Sequence, residues 1–258
     1  MVIDFSVADG VAEIVLNDPS RLNALDEEAL ADLGAAFDRA EKESARAVIL
    51  RGEGRAFCAG RDISNVTPAT DDAVAYLDGL VTPLLRRIDN FPAPTFAVAT
   101  GACLGVGLGL LIACDVVYVA DTARIGSPFA NLGATLDSGG HALFFERLGA
   151  HRTLDLIYTA ELMTGTEAVQ LGLFSRVMPE GEVLEFTRER AHRVARGATG
   201  AVLASKKLVH QLRDDRVGLW TSMAAENVVQ GELCSSADYA EGFAAFQEKR
   251  RPVFGGNA

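Results

Sequence analysis

Apolar and polar residues alternate over 3–7, and the largely apolar run over 11–16 keeps enough of that period, with Ala8-Asp9-Gly10 between them. That period of two predicts a pair of strands around a tight turn. After Asn17-Asp18-Pro19-Ser20, Asp26 is placed to cap a helix whose Ala29, Leu30, Leu33, Ala36, Phe37 and Ala40 share one face, and residues 45–51 read as a buried strand. The same order recurs: a helical pattern over 72–89, a strand over 95–100, a short helix over 105–114 and another strand over 116–120. Strand and helix alternate as far as about residue 180, and from Glu182 onward the period is helical, over 184–196, 201–213, 219–231 and 236–250. A mixed body followed by a purely helical run predicts an α/β core over 1–195 with a helical region over 196–258. No linker, low-complexity tract or strict repeat separates them, so they are expected to form one compact unit.

Composition narrows the class of function. The 258 residues are 49% hydrophobic and 23% charged, a balance that folds. Asp and Glu outnumber Lys and Arg by 35 to 24, a net charge of −11 that opposes non-specific binding to nucleic acid or an anionic membrane. A local positive site can still take an anion. Cys58, Cys103, Cys114 and Cys234 are too far apart for a zinc knuckle or redox pair, and His141, His151, His192 and His210 form no HExxH helix, so no metal is expected. Free thiols, and a start that carries Asp4 and Asp9 rather than a basic flank and apolar run, predict a cytoplasmic protein. The longest apolar stretch, 106–114, is broken by Gly107 and Gly109 and is too short to span a bilayer.

Three glycine-rich loops each follow a strand pattern. The first, Gly52-Glu53-Gly54-Arg55-Ala56-Phe57-Cys58-Ala59-Gly60-Arg61-Asp62-Ile63, can aim backbone N–H groups at an anion, or can be an ordinary surface loop. The second, Gly101-Ala102-Cys103-Leu104-Gly105-Val106-Gly107-Leu108-Gly109, enters a helix and places free N–H groups at its positive end. A dinucleotide fingerprint would sit there too, but the glycine spacing is wrong and the helix that follows is barely two turns long. In the third, Gly133-Ala134-Thr135-Leu136-Asp137-Ser138-Gly139-Gly140-His141, the acid is either a helix cap or a catalytic carboxylate. A hydrolase elbow around Ser138 is only half matched, since Leu136 stands where its first glycine belongs.

Taken in this order, the loops resemble the crotonase family, also called the enoyl-CoA hydratase/isomerase superfamily, from about Val11 to Phe254. The pieces that carry the resemblance are residues 55–63, Pro94 with the 101–114 segment and Asp115, and Phe246-Gln247-Glu248-Lys249-Arg250. It implies an α/β, crotonase-like spiral of ββα repeats with a C-terminal helical trimerisation region, assembled as a homotrimer or a dimer of trimers. It also implies an acyl-CoA thioester substrate, with coenzyme A part of that substrate and no separate cofactor. The family motif places the two backbone donors for the thioester oxygen at Arg61 and Val106. Removing an α- or γ-proton sends charge onto that oxygen, and one preorganised donor is worth roughly 3–4 kcal/mol of barrier. Val106 stands where relatives have the middle glycine of a triplet, which keeps the N–H but can narrow the pocket.

The family's hydratases use two glutamates, and the corresponding positions here are Gly109 and Phe129. Neither activates water. What remains is Asp137, where isomerase branches carry an aspartate in a Pro-Asp-x-Gly-Gly type sequence, with Leu136 in place of the proline. The likeness is closest to the phenylacetate-pathway 1,2-epoxyphenylacetyl-CoA isomerase and enoyl-CoA isomerase branch, which the ending Ser236-Ala237-Asp238-Tyr239-Ala240-Glu241-Gly242 supports. The implied activity is a double-bond shift in which Asp137 ferries one proton, with Phe129 beside it excluding water and raising its pKa by desolvation. The alternatives are a hydratase, a thioesterase exploiting Ser138 or Asp137, and a non-catalytic acyl-CoA binder. The resemblance places the CoA contacts at Arg21, Leu22, Ala24, Ala59, Asp62, Ile63 and Phe129. Phe246 and Lys249 match positions that reach the nucleotide in relatives, often from a neighbouring subunit, and equally fit the face of a last amphipathic helix. Acyl preference falls to residues 64–78 and to Phe129, Leu132, Phe144 and Phe145.

Overall fold

The computed structural model describes residues 2–67 and 69–255. Strands β1 (Val2–Ala8) and β2 (Val11–Asn17) pair antiparallel with Ala8 opposite Val11. Asp9 and Gly10 between them both take positive φ, 49° and 77°, as a two-residue type I′ turn demands. Helix α1 (Glu27–Lys42) starts where Asp26 accepts from the Ala29 N–H at 2.8 Å, and its buried face is the one its apolar spacing predicts.

The rest of the body is a spiral. β3 (Ala47–Gly52), β4 (Thr95–Ala99), β6 (Val116–Ala120) and β9 (Arg176–Met178) add in parallel to the hairpin, giving the six-stranded order β1-β2-β3-β4-β6-β9. A second sheet holds β5 (Ala102–Leu104), β7 (Arg124–Gly126) and β8 (Met163–Thr164), with Cys58 bridged in parallel to Cys103 at the edge of β5. Each turn therefore adds one strand to the large sheet, one strand or bridge to the small one, and then a helix. β3 and the Cys58 bridge lead into α2 (Ala73–Tyr76), a π turn and α3 (Thr82–Asp89). β4 and β5 lead into α4 (Val106–Ala113), and β6 and β7 into α5 (Gly140–Thr159). The central strands are buried on both faces, which is why they read as unbroken apolar runs rather than alternations.

The helical pattern over 72–89 is one helix in the sequence but is interrupted by the π turn Leu77–Val81, a wide turn of a kind frequent at functional sites. α5 is broken at Gly149, where φ is 73° and ψ 173°. α6 (Gly165–Gln170) leads to β9, and α7 (Val183–Ala195) packs Val183, Thr187, Ala191 and Ala195 across the large sheet. Then come α8 (Thr199–Asp214), α9 (Leu219–Leu233) and α10 (Ala237–Gln247). Among the described residues no helix is long and apolar enough to cross a membrane.

α8 buries no residue of its own, so polar bonds hold it to the body. Lys206 donates to the Phe91 carbonyl (3.0 Å) and to Asp115 Oδ2 (2.9 Å), and Asp115 in turn accepts from the Thr95 N–H at 2.8 Å. The Lys206 side chain is 10% exposed. Lys206→Met leaves Asp115 short of its cation, and breaking so sheltered a pair is expected to cost about 3 kcal/mol in a urea unfolding titration.

Candidate active site

Asn23 joins the two segments at the mouth of the spiral. It is fully buried and takes φ of 57°, a left-handed conformation that asparagine tolerates. Its Oδ1 accepts from the Asp18 N–H at 2.8 Å, and its Nδ2 donates to the Glu53 and Ala56 carbonyls at 3.0 and 2.7 Å. Residues 21–25 are thereby fixed beside the first loop, where the Ala59 N–H donates to Leu22 O at 2.9 Å and the Leu25 N–H to Gly60 O at 2.8 Å. Arg21, Leu22, Ala24, Ala59, Asp62 and Ile63 come together here, with Ile63 half exposed. Arg21 is already paired: its Nε bonds Asp18 and its Nη1 bonds Asp62, each at 2.7 Å. A phosphate would have to compete with both carboxylates.

Leu25 and Arg61 form a parallel bridge through Gly60 O and the Asp62 N–H, so the N–H of Arg61 itself faces the opposite side. No described residue accepts it. On that side runs the second loop. The Gly105 N–H is held by Ser127 Oγ (3.2 Å) and Gly126 O (3.3 Å), and Gly105 then adopts φ of 52° with ψ of −120°, open only to glycine. Val106 is the first residue of α4, where a backbone N–H has no partner within its own helix. The two loops touch: a Cβ on Gly60 would lie 3.0 Å from Leu104 O, and one on Gly105 would lie 3.9 Å from the Gly60 Cα. Two amides with no partner among the described residues, those of Arg61 and Val106, thus stand on touching backbones, an amide cradle between the two loops. The Val106 side chain lies in the hydrophobic core.

Gly109 follows Val106 by three residues, on the same face of α4. A Cβ there would meet Ser138 Cβ at 2.5 Å, so the third loop sits directly on this turn of the helix. Asp137 accepts a 2.8 Å hydrogen bond from Ser138 Oγ, and no side chain caps α5. Of the two readings of Asp137, the cap is thus excluded. Burial raises its carboxyl above the usual carboxylate range, while the Ser138 hydroxyl and the nearby His141 pull it back. Ser138 donates to that acid, has φ of 52° and is not hydrogen-bonded to a histidine, so no Ser-His pair is formed.

Phe129 is half-buried, its Cζ 3.0 Å from where a Cβ on Gly105 would sit, so the ring lies against the amide cradle. Phe144 is buried, whereas Leu132 and Phe145 are exposed. Phe246, 84% exposed at the end of α10, and Lys249, with φ of 56° just beyond it, are not brought to the loops in this chain. A cavity of about 1240 Å³ is bounded by Leu85, Gly109, Ser138 and Leu143 and reaches Lys206 and Arg213; Arg61, Val106 and Asp137 do not line it. Asn23 lies within the 21–25 stretch to which the resemblance assigns CoA contacts, but the sequence signals no role for Asn23 itself. Its only local signal is a short polar side chain just after the Pro19 turn.

Residues 6–257 match the family model described as enoyl-CoA hydratase/isomerase. A probable enoyl-CoA hydratase of Rhodobacter capsulatus is 36% identical over 254 residues, covering 98% of each chain. The short-chain-enoyl-CoA hydratase of Clostridium acetobutylicum is 30% identical over 243 residues, 93% of this chain and 92% of that one. A crystal structure of an enoyl-CoA hydratase subunit I from Geobacillus kaustophilus HTA426 superposes with a TM-score of 0.88 at 33% identity, covering 99% of this chain and 98% of the other. The α/β spiral of ββα units expected from the sequence is the fold of that structure.

Proposed function

Because the chain belongs to the enoyl-CoA hydratase/isomerase family, we propose that it shifts the double bond of an enoyl-CoA thioester, with Asp137 as the proton carrier. The Asp137 carboxylate takes a proton from one carbon, the electron pair moves onto the thioester oxygen, and the Arg61 and Val106 amides hold that oxygen. The acid then returns the proton to the other carbon. Proton count and oxidation state are unchanged, so the reaction balances without a cofactor.

The observation that carries this reading is a half-buried carboxyl with a raised pKa, released from helix capping and next in the chain to Ser138, which packs on Gly109 one turn of α4 after Val106. A second reading, hydratase, is favoured by the names of the relatives. Against it stand the two positions of this chain where hydratases are expected to carry glutamates. Phe129 is apolar, and the space that a side chain on Gly109 would need is filled by Ser138. General acid–base help contributes about 10²–10⁴-fold, which a site without those acids lacks. Incubation with 3-enoyl-CoA is expected to yield 2-enoyl-CoA with no 3-hydroxyacyl-CoA on chromatography. Hydration at a comparable rate would overturn the isomerase in favour of the hydratase.

The same reading extends to the phenylacetate-pathway branch, supported by Asp137 and the 236–242 sequence. Exposed Leu219, Trp220, Met223 and Val228 on α9 support self-association as a homotrimer or a dimer of trimers. Four free cysteines support a reducing, cytoplasmic setting.

A further inference from the structure

Tyr76 is the last residue of α2, immediately before the π turn. It is 6% exposed, and its hydroxyl is buried with no hydrogen-bond partner among the described residues. The ring is not loosely held. The Arg61 guanidinium stacks 3.9 Å from its centroid and is itself fixed by two bonds to Asp71, at 2.8 and 2.9 Å. The residue that supplies one amide of the cradle therefore also positions this phenol. Burial pushes the phenol well above its ordinary range, and the Arg61 guanidinium opposes that shift. The group is a permanent donor set beside the first loop.

A buried donor with no acceptor is unfavourable, and a purely hydrocarbon acyl group would leave it so. We infer that Tyr76 is a specificity-determining residue whose hydroxyl donates to an oxygen on the acyl group, so that the site prefers acyl-CoA thioesters with a carbonyl, hydroxyl or ether oxygen on the acyl chain. This rests on the acyl-CoA reading above and is independent of whether the chemistry is isomerisation. Sites built around a substrate oxygen discriminate strongly against analogues that lack it, because the protein donor is then stranded.

The test is a set of unreactive saturated thioesters in matched pairs, an ether oxygen replacing one methylene at each successive acyl position, with affinities measured by calorimetry. Wild-type protein is expected to prefer one oxygen-bearing member over its hydrocarbon match by about tenfold or more. Tyr76→Phe is expected to erase that preference while leaving hydrocarbon thioesters within twofold of wild type. Binding with no preference at any position overturns the role of Tyr76 alone. So does an equal loss for both members of every pair, which marks the ring as merely structural. Failure of every thioester to bind overturns the acyl-CoA reading and Tyr76 with it.

Discussion

Asp137→Asn is expected to lower the isomerisation rate by about 10²–10⁴-fold, the contribution of a positioned general base, while the affinity for a saturated acyl-CoA stays near wild type. The amide keeps the shape of the side chain and still accepts from Ser138 Oγ, so what is lost is the capacity to take a proton. The same variant is expected to melt at a higher temperature at neutral pH. Burial raises the carboxyl above its ordinary value of 3.8, so the native chain binds this proton more tightly than the unfolded one. Stability from this group is complete below 3.8 and is lost as pH rises through the raised native pKa, so at neutral pH the ionised acid is a net cost. Asparagine carries no charge and removes it. In the wild type, kcat/KM should climb as pH passes through that raised value. Ser138→Ala, which deletes the hydrogen bond opposing the shift, should move this acid limb upward. A variant that isomerises at the wild-type rate would end the assignment of Asp137 as base.

The helices and central strands were legible because their signal is local. Asp26 and the face from Ala29 to Ala40 fall within a single helical window, and β3, β4 and β6 are apolar runs of strand length. β5, β7, β8 and β9 have two or three residues each, too few for any period to show, and they become strands only because neighbouring turns of the spiral offer partners. The glycines of the three loops were visible, but not their contacts. Gly60 meets Gly105, and Gly109 meets Ser138, only after the chain has wound through a further turn. Charge was misleading for the same reason. Arg21 looks available to a phosphate until Asp18 and Asp62 are folded onto it. Asn23 could not be assigned because its function is defined by carbonyls of a distant loop, and Tyr76 is one apolar position of a helical pattern until its hydroxyl is found without a partner.

Gly105→Ala is expected to lower kcat by about 10²–10³-fold, the worth of one donor to the enolate oxygen, in a protein that still folds. The reason lies in one torsion. Gly105 has φ of 52° and ψ of −120°, and alanine at that φ is driven toward ψ near +47°, a rotation of roughly 170° about the bond that orients the next peptide plane. That plane carries the Val106 N–H, so the rotation turns the donor out of the cradle. Keeping the original torsions instead would place the new methyl 3.0 Å from the Phe129 ring and strain the backbone. Either outcome spares the segment that Asn23 fixes, where residues 21–25 meet the first loop, so affinity for coenzyme A itself should hold while an enolate-mimicking thioester binds more weakly. Calorimetry with the two ligands separates these effects. If a folded Gly105→Ala protein turns over as fast as wild type, the Val106 amide does not stabilise the transition state, and the cradle formed where Gly60 meets Gly105 is not where the oxygen charge develops.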